Sequence, residues 1–298
     1  MSRTVVVLNP TAGSGRAGRA WTESRAREPE FAALDVVLGE SAAATVEALH
    51  DRLKGGGVDR VIAVGGDGTA HLVVNAVVTS GQADTVAFGL VAAGTGADFA
   101  RGLGLPKRIG PALRRVLDAE ARSVDVIEMV PDDPSVERRI VLNIASAGLS
   151  GQVVEEVASI DRGTYLGATI RALGRYRPRP CRVVADGEVL CDGRFFLLAI
   201  ANGRYFGKGM HVAPRARLDD GLIDVVLARL VPGWQMPWLL PRFMLGRHLS
   251  HPRVTHVRAR EVRIEPPDDF LPYELDGEVQ PSVACTFRVL PGALRLLA

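Results

Sequence analysis

VDRVIAVGGDGT, residues 58–69, is the stretch from which the rest of the chain is read. The apolar run Val61-Ile62-Ala63-Val64 suits a parallel strand buried on both faces, and it stops abruptly at Gly65-Gly66-Asp67-Gly68-Thr69. Three glycines remove the Cβ atoms that would hold a ligand away from the backbone, and amides at the start of a following helix favour an anion. Asp67 lies among them. A carboxylate repels a phosphate unless a cation stands between, so the turn predicts a Mg²⁺-nucleotide rather than a bare anion. Glycines placed for geometry alone would give an ordinary strand-to-helix connection, and the Gly and Asp pattern argues against that reading.

Outward from this turn the pattern repeats. Residues 86–92 read as the next apolar strand and end in Gly94-Thr95-Gly96-Ala97-Asp98-Phe99-Ala100, again a glycine turn with Thr and Asp before a helix. Two such turns on consecutive parallel strands would lie side by side at the carboxyl edge of a sheet, where open α/β sheets bind ligands. Upstream, a β-branched strand over residues 4–8 leads into NPTAGSGRAG (9–18), and residues 34–38 form a second short strand. GSGRAG is a literal G-x-G-x-x-G with Glu40 following, but residues 9–12 separate it from the strand end, which weakens a nicotinamide-dinucleotide reading. Helical spacing covers residues 41–54, 72–78 and 108–117, and residues 123–127 make a strand carrying Asp125.

Beyond residue 128 the texture changes to strand-like runs at 140–144, 181–185, 195–199, 222–227, 257–264 and 284–289. The residues predict an α/β domain over 1–128 and a β-rich domain over 129–289, with Pro131-Asp132-Asp133-Pro134 as an exposed turn near the boundary. With 298 residues the chain can bury its cores without staples. A net charge of +2 points to no polyanion partner, and no nucleic-acid recognition module is visible. Cys181, Cys191 and Cys285 lack metal-ligand spacing and suit a reducing compartment; with no leader and no span of about 20 apolar residues, a cytoplasmic protein is expected.

Taken together, NPTAGSG (9–15), GGDGT (65–69), GTGADFA (94–100), the Asp125 strand, residues 202–227, GRHLSHPRV (246–254) and LDGE (275–278) resemble the diacylglycerol kinase catalytic-domain family of lipid kinases. That family also includes sphingosine and ceramide kinases and is distantly related to NAD kinases. The resemblance implies a Rossmann-like α/β ATP-binding domain with a parallel sheet, a C-terminal β-sandwich, an active site in the cleft between them, and residues 290–298 returning to the first domain. It implies nucleotide contacts from Asn9, Ser41, Gly65, Gly66, Gly68, Thr69, Gly94 and Thr95. Asp67, Asp98 and Asp125 would hold a Mg²⁺-water network and Glu278 would be the general base. A structural metal would take the Asp220 carboxylate with backbone oxygens of Arg217 and Leu222. Two departures stand out: Leu72 replaces a usual Glu, and Ala97 replaces a usual Asn, which keeps a catalytically impaired lipid- or nucleotide-binding member in view beside an NAD kinase-like enzyme.

The residues themselves supply the parts that phosphoryl transfer needs, since that reaction asks mostly for positioning and charge neutralisation. For Glu278 the plain alternative is a solvated hairpin acid, because Asp276-Gly277 is a strong turn signal. His248 and His251 read as surface residues, and His211, His248, His251 and His256 have no i, i+4 pairing with acids of the kind that holds a metal. Two arginine-rich stretches bear on location. Arg171, Arg175, Arg177, Arg179 and Arg182 have no acid among them, and Arg242, Arg247, Arg253, Arg258, Arg260 and Arg263 meet only Glu261. Trp234, Met236, Trp238, Leu239, Leu240 and Phe243 precede the second cluster, a combination suited to the anionic face of a membrane at which a lipid substrate would be met; a core-facing helix with solvated arginines is the alternative. A homodimer is left open.

Overall fold

The computed structural model describes residues 3–94, 97–150, 176–232, 235–266, 271 and 273–298. The chain divides into two compact units, Met1–Val126 with Pro291–Ala298, and Ile127–Leu290. In the first, strands β1 (Arg3–Leu8), β2 (Asp35–Val37), β3 (Val58–Gly65) and β4 (Ala87–Ala92) are parallel in the order β2-β1-β3-β4. The far end of the C-terminal strand extends this sheet in parallel, with Arg295 opposite Ala87 and Leu297 opposite Gly89. Parallel strands need crossovers, and the helices supply them: α1 (Arg16–Arg27), α2 (Pro29–Ala32), α3 (Ala42–Lys54), α4 (Asp67–Thr79), α5 (Asp98–Gly102) and α6 (Ile109–Asp118). Val61, Ile62, Ala63 and Val64 are all buried, as a strand covered on both faces requires. Val6, Ile62 and Val91 pack with Trp21 of α1 and Leu113 and Val116 of α6 in one core.

The second unit is built from antiparallel strands: β5 (Ala121–Pro131, which begins in the first unit), β6 (Arg139–Val141), β7 (Ile144–Gly148), β8 (Pro180–Ala185), β9 (Glu188–Ala201), β10 (Ile223–Arg229), β11 (Val254–Ala259), β12 (Glu261–Glu265), β13 (Tyr273–Leu275), β14 (Glu278–Gln280) and β15 (Cys285–Leu297). One run of pairings is β14-β13-β7-β9-β10-β11; the other is β9-β8-β12-β15. The long β9 serves both, pairing β8 through residues 188–194 and β10 through residues 195–201. Phe195, Leu198, Val225, Val262, Tyr273 and Phe287 share one core. A further helix, α7 (Met236–Met244), lays Leu239 and Phe243 against Val212, Val226 and Val254 in another.

Several element boundaries differ from the sequence pattern. Helix α4 starts at Asp67 rather than residue 72, because the glycine turn itself is its first turn. The run 140–144 is two strands interrupted at Leu142-Asn143, whose amides bond to the Asp276 carboxylate instead of a neighbouring strand. Residues 257–264 split between β11 and β12, and the run at 284–289 is the first half of a strand that continues to Leu297. The three cysteines are free and buried, and burial pushes the Cys181 and Cys285 thiols up to about 12. Among the described residues no helix is long and apolar enough to cross a membrane.

Candidate active site

In the first unit three loops meet at the carboxyl ends of β1, β3 and β4. The Asn9 side-chain amide donates to Thr69 Oγ1 (3.4 Å), and Ala93 N–H donates to the Gly65 carbonyl (2.8 Å). Glycine is required where these backbones cross: a Cβ on Gly94 would stand 2.6 Å from Gly66 Cα, and one on Gly13 would stand 2.6 Å from the Ala93 carbonyl oxygen. Helix α4 has no side-chain cap at Gly66, and its first intrahelical bond runs from Ala70 N–H to the Gly66 carbonyl (3.1 Å). The amides of Gly68 and Thr69 precede that bond, at the positive end of a 13-residue helix. Helix α1 likewise begins without a side-chain cap, at Gly15, after Gly13, Ser14 and Gly15 have all taken positive φ. The edge is a cradle of backbone groups, the arrangement that a polyphosphate would need.

The aspartates do not stand as a ligand cluster. Asp67 accepts from the amides of Asp98 (3.1 Å) and Phe99 (3.4 Å), tying the first glycine turn to the start of α5. Asp98 is buried and pairs with Arg101 (3.1 Å), while Asp125 is buried on β5 and accepts from Gly292 N–H (2.8 Å). Among the described residues no three His, Cys, Asp or Glu side chains form a group that could hold a metal ion directly. Asp67 and Asp98 still border the cradle, so they fit a hydrated Mg²⁺ reached through water better than a directly ligated one. Ser41 caps α3, its hydroxyl accepting from Ala44 N–H (3.1 Å). Thr95 lies outside the described residues.

The second unit holds the other candidates. Asp276 (φ 52°) and Gly277 (φ 94°) form the two-residue turn between β13 and β14, a conformation with both central residues left-handed, and exposed Glu278 opens β14 opposite Leu275. What surrounds that turn was not legible in the pattern. Buried Asp276 accepts from the amides of Leu142 (2.9 Å), Asn143 (2.9 Å) and Ile144 (3.0 Å). Buried Glu274 accepts from Gly277 N–H (2.5 Å) and from the Ser146 hydroxyl. Asn202 donates to the Leu142 carbonyl (2.8 Å) and Asn143 to the Tyr205 carbonyl (2.9 Å), joining the NGRYF loop to the same network. The only sequence hint was polar residues interrupting apolar runs.

At the other predicted metal position, Asp220 accepts from Leu222 N–H (3.2 Å) and pairs with Arg258 (3.1 Å), and Arg217 pairs with Asp219 (3.4 Å). A cation at this turn would compete with the Arg258 guanidinium for the carboxylate. One histidine reading needs correction. His248 is fully buried, stacked on Phe243 with ring centroids 4.0 Å apart, and burial lowers its pKa. His256 bonds to Asp224 at 2.6 Å across β10 and β11, an acid pairing that sequence spacing could not show.

Comparison with known proteins follows the same two parts. Residues 3–129 match the diacylglycerol kinase catalytic domain model and residues 143–298 the YegS C-terminal NAD kinase beta sandwich-like domain model. A diacylglycerol kinase of Mycobacterium tuberculosis is 28% identical over 306 residues, covering 100% of this chain and 95% of that protein. A protein of Chromohalobacter salexigens named "Probable lipid kinase YegS-like" is 32% identical over 250 residues, covering 81% of this chain and 76% of the other. The crystal structure of a diacylglycerol kinase from Bacillus anthracis superposes with a TM-score of 0.76 at 22% identity, over 99% of this chain and 96% of that one, and so supports the fold.

Proposed function

Because the chain belongs to the lipid kinase family that joins a diacylglycerol kinase catalytic domain to a YegS C-terminal domain, we propose that it transfers the γ-phosphoryl group of ATP, with Mg²⁺, to the hydroxyl of a lipid at a membrane surface, diacylglycerol being the leading acceptor. The observation that carries this reading is the convergence of the loops at residues 9–15, 65–69 and 93–94 into one backbone cradle.

In this reading the Gly68 and Thr69 amides hold phosphate oxygens, and Asn9 fixes the loop between β1 and α1 against Thr69. Asp67 and Asp98 orient the water around a Mg²⁺ ion, which when bound neutralises charge on the transferring group. Glu278 accepts the proton of the lipid hydroxyl as its oxygen bonds to phosphorus and the bond to the departing ADP breaks. The hairpin network around Asp276 holds the turn that carries Glu278. No role is given to a cation at the Asp220 turn, where Arg258 already meets the carboxylate.

The test is ADP release from ATP and Mg²⁺ with dioctanoylglycerol, a sphingoid base, phosphatidylglycerol or NAD as acceptor. Lipid-dependent release with a phosphorylated lipid product is the expected result. Phosphorylation of NAD would replace the reading with an NAD kinase, and ATP binding without turnover on any lipid would replace it with a binding protein.

A further inference from the structure

Helix α7 turns the usual arrangement of a surface helix around. Leu239 and Phe243, spaced i and i+4, face the core and are buried. At 100° per residue the flanks and opposite side carry Trp238, Leu240, Pro241 and Met244, with Leu245 just past the helix end, every one exposed. Trp238 is 75% exposed and Leu245 63%, and four of the eight exposed large hydrophobic residues among those described lie in this single stretch. A face that a solvated helix would fill with charged residues is apolar instead.

The charge around it is one-sided. From Arg229 to Arg260 the sequence holds six arginines and no Asp or Glu. Arg258 is engaged by Asp220, and Arg229 donates to the Leu190 carbonyl (3.1 Å). Among the described residues no side-chain partner is found for Arg242, Arg247 or Arg253, of which Arg242 lies on α7 and Arg247 three residues beyond its end. A short apolar face with a tryptophan, bordered by uncompensated arginines, has the composition of a helix that lies in the headgroup layer of an anionic bilayer.

We propose that α7 is the membrane-docking element: Trp238, Leu240, Met244 and Leu245 enter the acyl boundary of an anionic leaflet while Arg242 and Arg247 meet lipid phosphates. The choice of a lipid surface over another apolar partner rests on the lipid kinase reading as well as on the charge. A second copy of the chain is the competing occupant, and the arginines argue against it because two such faces would bring like charges together.

The test compares wild type with Trp238→Phe on vesicles of phosphatidylcholine alone or mixed equally with phosphatidylglycerol, containing lipids with nitroxide-labelled acyl chains. The difference between the two proteins isolates the emission of Trp238. It should shift to the blue and lose at least about half its intensity on the anionic vesicles only. Arg242→Glu with Arg247→Glu should weaken vesicle partitioning at least about tenfold, since each basic residue near such a surface contributes roughly 1 kcal/mol, and added salt should do the same. Vesicle binding with unchanged Trp238 emission, equal binding to neutral vesicles, or no binding would overturn the proposal. So would a dimer in sedimentation that Trp238→Ala dissolves. Turnover of dioctanoylglycerol in vesicle-free solution reads the kinase separately: Trp238→Ala should leave it unchanged, and its absence in wild type would sink the kinase reading without touching the fluorescence result.

Discussion

Asp67 and Asp276 do the same physical job in two different regions, and the difference between them explains why one region could be read from the sequence. Each carboxylate collects backbone amides from a neighbouring loop, Asp98 and Phe99 in the first case and Leu142, Asn143 and Ile144 in the second. Asp67 is half-buried in a turn of glycines at a sheet edge, where a ligand can still approach. Asp276 is buried, with three amides from the interruption between β6 and β7 gathered on its two oxygens. The first arrangement is a site made of backbone; the second is a support made of side chains. On this comparison Asp67 matters mainly to chemistry and Asp276 mainly to the stability of the hairpin that presents Glu278.

The largest effect that would break the comparison is on turnover. Asp67→Ala should lower lipid-dependent ADP release by roughly 10²–10³-fold, the scale of losing one electrostatic element of a phosphoryl-transfer site, while melting changes little. A folded Asp67→Ala protein with near-normal turnover would leave the cradle without its cation. Next in size is Asp276→Ala. Removing the acceptor strands three buried amides, each of which costs about 1 kcal/mol or more when unpaired, so a loss of roughly 3 kcal/mol of unfolding free energy is expected in denaturant titration. A loss below about 1 kcal/mol would mean that water replaces the carboxylate and that the support is not rigid.

The smallest effect concerns Ala97. Its φ of 53° places it in the left-handed region at the start of α5, where the resemblance leads one to expect Asn. Asn takes up that conformation at lower cost than Ala, so the backbone gives a reason for Asn at this position and makes Ala97 the strained residue. Ala97→Gly should stabilise the protein by about 0.4–1 kcal/mol, read as a rise in the denaturation midpoint. A fall would mean that the turn is held in its shape by contacts of the Ala97 methyl group.

The legible part of the molecule was the part where backbones pass too close for side chains. Gly65, Gly66 and Gly94 announce close backbone approach, and a continuous apolar run before them announces a strand covered on both faces, so the first sheet and the meeting of its glycine turns followed from a few residues. The second unit's strands showed in their apolar runs, but their breaks did not, because the cause of each break lies far away: Asp276 reaches Asn143 across 133 positions. The burial of His248 was hidden as well, because besides stacking on nearby Phe243 it depends on a bond to the Val212 carbonyl (2.8 Å), 36 positions away. The pairing of Asp220 with Arg258 was hidden for the same reason.

The central claim, that exposed Glu278 on its braced hairpin removes the proton of a lipid hydroxyl, is tested most directly by Glu278→Gln. The amide keeps the shape and hydrogen-bonding capacity of the side chain and removes its basicity. Lipid-dependent ADP release should fall by roughly 10²-fold or more, the usual contribution of a general base, while ATP affinity measured on the same protein stays within about twofold. Wild-type turnover in a folded Glu278→Gln protein would contradict the account.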